Sequence, residues 1–140
     1  MKLRTLLSYI EEAVRGGDLS SASPVFAVIR NEAAKIDSPE AWSAVSIVDV
    51  EANADNEAID LIADESDDAK DISIEMLRKQ VARFPKGSKE YDLSVGLLVG
   101  PDREHSVRVD APVVEAYGDQ EGLGLMSWFE GYEAWSESQG

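Results

Sequence analysis

Between Leu3 and Val14 the apolar side chains fall at Leu3, Leu6, Leu7, Ile10, Ala13 and Val14. This i, i+3, i+4, i+7 rhythm predicts an amphipathic helix with one buried stripe. Gly16-Gly17 ends it, because glycine accepts a left-handed cap and is costly to hold in a helix. Asp18 to Pro24 reads as a turn. Val25-Phe26-Ala27-Val28-Ile29 is an unbroken apolar run, the pattern of a central strand covered on both faces. Asn31 to Glu40 is a polar connection with at most one helical turn before Ser38-Pro39. Trp42 to Ala52 is β-rich, and its alternation changes phase between Ile47 and Val48, which predicts a bulge or bend. Ala54 to Glu57 is a turn, and Ile59, Leu61 and Ala63 alternate along a return strand.

The second half begins after an acidic stretch, Asp64 to Asp71, that has almost nothing apolar to bury. Ser73 has the chemistry of an N-cap, with Glu75 favourable in the first helical turn. Ile74, Leu77, Val81 and Phe84 form a helical stripe, which Pro85 and Gly87 end. Tyr91, Leu93, Val95, Leu97 and Val99 alternate as a strand, and Gly100-Pro101-Asp102 turns the chain. Val107 and Val109 open another strand, whose pairing Pro112 should limit. Val113 to Tyr117 is β-patterned, Gly118 to Gly122 a hairpin turn, and Leu123 to Met126 the return.

The halves resemble one unit written twice. Val50-Glu51-Ala52, Asp55, Glu57 and Leu61 match Val114-Glu115-Ala116, Asp119, Glu121 and Leu125 at a constant offset of 64. The fold expected is therefore α+β: two tandem α-β-β-β units, an internal repeat, with antiparallel-rich sheets and one helix per unit. The units would span residues 1–63 and 73–127, joined by an acidic linker at 64–72 and followed by an aromatic arm at 128–140. One unit of about 65 residues would bury only a thin core, so the two should pack into one compact domain.

Composition narrows the chemistry. The chain has no cysteine, one histidine and a net charge of −15, with 44% apolar residues, enough for a core. Without cysteine there is no disulfide, thiol nucleophile or sulfur-ligated zinc site. His105 lies in a charged turn, where general-base work would need a nucleophile or substrate pocket nearby and solvent exposure is the expectation, and no phosphate-binding glycine loop or serine elbow is present. No cofactor and no specific metal site are expected, and the protein is expected not to be an enzyme. The start of the chain turns acidic before any signal-like apolar run develops, and no stretch approaches the ~20 apolar residues that span a bilayer. Cytoplasmic residence is the expectation. The charge opposes direct nucleic-acid binding and anionic membranes, and favours a basic protein partner.

The acids are concentrated. Asp49, Glu51, Asp55, Glu57, Asp60, Asp64, Glu65, Asp67, Asp68 and Asp71 crowd 23 residues, against Lys70 as the one cation. On a strand, Asp49 and Glu51 would share a face about 6.6 Å apart, near the spacing of successive backbone phosphates. Cations gather instead at Arg78, Lys79, Arg83, Lys86 and Lys89. The arm carries Trp128, Phe129, Tyr132 and Trp135, with Trp128, Tyr132 and Trp135 spaced for one helix face. It would either close the core or anchor a partner.

The expected function is a non-enzymatic acidic protein-binding module, an inhibitor or adaptor for a basic target. In its sharpest form it is a nucleic-acid decoy in a phage anti-defence or immunity role. Asp49, Glu51, Asp55, Glu57, Asp60, Asp64, Glu65, Asp67, Asp68, Trp128, Tyr132 and Trp135 are the expected contacts. The alternative is a self-associating assembly protein, such as a homodimer, using the aromatic arm and open sheet edges.

Overall fold

The computed structural model describes residues 1–30, 42–66, 68–99 and 107–127. Along the chain run α1 (Leu3–Arg15), β1 (Val25–Arg30), β2 (Trp42–Asn53), β3 (Ala58–Asp64), α2 (Ile74–Val81), β4 (Asp92–Val99), β5 (Val107–Asp119) and β6 (Gly122–Ser127). A short 3-10 turn at Ser88–Glu90 leads into β4.

The six strands close into one barrel in the order β1-β2-β3-β4-β5-β6. Four seams are antiparallel, but β3 pairs with β4 and β6 with β1 in parallel. This overturns the expected fold. There are not two tandem α-β-β-β units with antiparallel sheets, because neither half owns a sheet. A three-stranded sheet on its own would leave two edge strands with unsatisfied backbone groups, and closure removes those edges.

Alternation decides what fills the barrel. Val25, Ala27 and Ile29, then Ile59, Leu61 and Ala63, then Leu93, Val95 and Leu97, with Leu123 and Leu125, are all fully or almost fully buried. β2 adds Val45, Ile47 and Val50, and its inward phase changes because the β2–β3 register shifts between Ile47 and Asp49. Without that bulge, Val50 would point outward.

β1 and β4 run parallel to β6 and β3, so all four begin at the same end of the barrel. The helices lie across that end. Lys2 bridges to Asp92 at the start of β4, and Pro24, just before β1, bridges to Ser73. Leu3, Leu6 and Ile10 of α1 and Ile74 and Leu77 of α2 are fully buried and join the barrel core. Ile72, just past the acidic stretch, is also buried, and its N–H donates to the Ile47 carbonyl at 2.8 Å.

Two boundaries differ from the periodic pattern. α2 ends at Val81, short of Phe84. Phe84 precedes Pro85, and that position disfavours helix. Pro112 does not curtail pairing either. β5 runs through it, with Pro112 opposite Ser94, just where the strand passes from β4 to β6 and the register shifts between Val113 and Glu115. A missing N–H is tolerated at such a change of partner.

Ser73 caps α2, its hydroxyl accepting the Met76 N–H at 3.2 Å. Ser73→Ala should cost about 1 kcal/mol, read as a lower urea midpoint with an unchanged slope.

Candidate functional site

The outer wall of β2, β3, β4 and β5 brings together charges from both halves of the chain. Register sets Glu51 of β2 opposite Asp60 of β3, Asp60 beside Ser94 of β4, and Gly96 opposite Asp110 of β5. Arg108 of β5 reaches back across β4. Its Nη2 lies 2.9 Å from Asp60 Oδ2 and its Nε 2.8 Å from Asp110 Oδ1. The Asp60 side chain is only 9% exposed, whereas that of Arg108 is 34% exposed.

Gly96 makes this crossing possible. A Cβ there would stand 2.6 Å from Arg108 Nε and 3.0 Å from Asp110 Oδ1. The guanidinium therefore lies where any other residue would place a side chain. Partial burial works against its charge, but the hydrogen bonds to Asp110 and Asp60 outweigh this and raise its pKa above the usual value.

Beside this pair opens a polar cleft of about 310 Å³, lined by Glu51, Ala52, Asn53, Ala54, Asp55, Asp60 and Arg108. Three carboxylates face one guanidinium that also serves Asp110. Among the described residues that line it, the cleft is thus acidic in net balance, with no histidine, cysteine or hydroxyl nucleophile. Its net negative charge would suit a cationic group. Among the described residues no cluster of three or more His, Cys, Asp or Glu side chains is arranged to hold a metal ion.

No family model, curated protein or solved structure matches the chain. The geometry of the chain itself therefore carries the functional reading.

The structure gathers only some of the acids expected to act together. Asp49 and Glu51 are exposed on either side of buried Val50. Asp49 Oδ1 accepts the Val50 N–H at 2.8 Å, next to the bulge. Asp55 and Glu57 are exposed in the β2–β3 turn. Asp60 is buried and paired. Asp64, at the end of β3, is half-buried, and its Oδ1 accepts the Ser66 N–H at 2.9 Å. Desolvation, and then the charge of Asp64, push the Glu65 carboxyl above the usual carboxylate range. Asp68 is exposed. Asp67, His105, Trp128, Tyr132 and Trp135 lie outside the described residues.

Sequence reasoning missed Arg108 and Asp110. The signal was present as Arg-x-Asp on a β-patterned segment, which puts both side chains on one face. What was missing was the parallel seam that carries β3 next to β4, and so within reach of β5.

No helix among the described residues is long and apolar enough to cross a membrane.

Proposed function

We propose that this protein is a non-enzymatic binding module, an inhibitor or adaptor, whose acidic cleft takes lysine or arginine side chains of a basic partner protein in the cytoplasm. The observation that carries this reading is the carboxylate surplus around Arg108. Glu51 and Asp55 line the cleft, and among the described residues no second cation lines it. A cationic side chain entering there would complete the charge balance that Arg108 leaves open. Asp49 and Glu57 extend the negative field along the same hairpin and would steer association.

Self-association through open sheet edges has less support, because the strands of a closed barrel are paired on both sides.

The test is a titration with oligo-lysine and oligo-arginine peptides, followed by NMR. The amides of residues 51–60 and Arg108 should shift first. Replacing Asp49, Glu51, Asp55 and Glu57 by their amides should weaken binding about ten- to thirty-fold, at roughly 0.5 kcal/mol per charge. The matched set Glu11, Glu12, Asp119 and Glu121 should change it far less. Equal losses from both sets would reduce the acidic face to a solubility device.

A further inference from the structure

A second surface has the opposite charge. Between α1 and the segment from α2 to the 3-10 turn lies a groove of about 530 Å³. Leu3, Leu7, Val81 and Phe84 give it an apolar floor, and Arg78, Lys86 and Lys89 stand around it. All three cations are exposed. Among the described residues none of them has an ion-pair partner. The two acids that flank this segment are already engaged. Glu90 pairs with Lys2 at 3.1 Å and with Arg4 at 3.2 Å, and Glu75 pairs with Lys79 at 3.2 Å. In a chain of net charge −15, the groove is thus a place where cations are left for an anion from outside.

The size of the apolar surface limits the occupant. Among the described residues the exposed large apolar side chains are Met76, Val107 and Val114, and none of them lines the groove. A stable protein interface needs about 1,000 Å² or more of buried surface, with an apolar centre. A groove of this volume falls instead in the roughly 300–1,000 Å³ range of small-molecule sites. Its floor favours a hydrocarbon chain, because covering it removes apolar surface from water. Its rim favours an anion, which would accept charge-assisted hydrogen bonds there. One small molecule with both parts matches the whole groove.

We propose that this groove binds a single-chain amphiphilic anion, a free carboxylate with a hydrocarbon chain of about ten carbons. The chain lies along Leu7, Val81 and Phe84, which are half-buried, over Leu3, which is fully buried. The head sits among Arg78, Lys86 and Lys89, whose long stems can follow the chain while their charges meet the carboxylate. The groove shares no residue with the acidic cleft, so the two binding activities are separable.

The test is an NMR titration of the isotope-labelled full chain with decanoate, kept below its micelle-forming concentration. The amides of Leu7, Val81, Phe84 and Lys86 to Lys89 should shift and saturate together. Affinity should rise about two- to fourfold per methylene from octanoate to dodecanoate. Decanol, with the same chain and no charge, should bind about tenfold more weakly, having lost its contacts with three exposed cations. Arg78→Gln, Lys86→Gln and Lys89→Gln together should lower decanoate to the affinity of decanol. Decanol binding and the barrel amides should stay unchanged in that variant, which a misfolded protein could not show. Shifts that fail to saturate, fall outside the groove, ignore chain length or survive the triple substitution overturn the proposal. An acidic amphipathic peptide that binds the groove where decanoate does not also overturns it, because the occupant is then a protein. Groove shifts that grow with protein concentration alone do the same, because the occupant is then a second copy.

Discussion

Gly122→Ala should lower the melting temperature by on the order of 10 °C or more, the largest loss expected from any single methyl group added to this protein. Gly122 opens β6 at φ +135°, a backbone state that residues with a side chain rarely adopt. That strain alone costs about 1–3 kcal/mol. An added Cβ would also collide with the Pro24 carbonyl oxygen and stand 2.9 Å from Pro24 Cγ. The carbonyl has little room to yield, because it accepts the Leu123 N–H at 2.9 Å. Leu123 opposes Val25 in the parallel β1–β6 seam, and Pro24 also bridges to Ser73 before α2. Relief of the clash would therefore disturb barrel closure and the entry to a helix together. Thermal unfolding by circular dichroism measures the effect. A melting point within a degree or two of the parent would mean that closure tolerates a shift at Pro24.

Arg108→Met should destabilise the barrel by about 2–3 kcal/mol. The figure is discounted from that of a fully buried pair because the Arg108 side chain is 34% exposed. Methionine keeps the apolar stem but leaves the Asp60 carboxylate, 9% exposed, without its cationic donor. The loss would be felt between strands distant in sequence, since the guanidinium ties β3 to β5 over Gly96. Asp110→Asn should cost less, because Asp110 is exposed and loses only one surface partner. Asp60→Asn combined with Arg108→Met should recover part of the stability, with a coupling energy of about 1–2 kcal/mol. Denaturant titration of the four proteins closes the cycle. Additive losses would show that the pair does not hold the seam. The same substitution bears on function, since without Arg108 the cleft is more negative. Oligo-lysine should then bind at least as tightly to whatever fraction remains folded.

Much of the local structure could be read from residue order, because its causes are local. α1 follows from a 3.6-residue stripe ended by two glycines. The cap of α2 follows from Ser73 and from the polarity of a helical first turn. The β2 bulge follows from the phase change after Ile47, since a strand whose apolar positions switch parity must insert a residue to keep them inside. The alternating positions of β3 and β4 mark their inward residues without knowledge of their neighbours. The acids of the β2–β3 hairpin were visible for the same reason, being carried on consecutive segments.

Which strands are neighbours was decided only in three dimensions. An alternating strand is equally satisfied in an antiparallel sheet of its own half and in a barrel shared with the other half. Nothing in the periods of β3 and β4 states that they lie side by side in parallel across α2. Barrel closure settles it, because it pairs the backbone edges that two separate sheets would expose. Asp60 thereby changes from one acid among ten to the buried partner of Arg108, and Glu51 and Asp55 come to line a cleft. The groove between the helices arises in the same way. Its floor joins Leu3 and Leu7 to Val81 and Phe84, residues brought together only because β1 and β4 begin at the same end of the barrel. Local pattern and cap chemistry determined the elements from sequence alone. Their neighbours, and the sites between them, follow from satisfying every strand edge at once, a condition set by the whole chain.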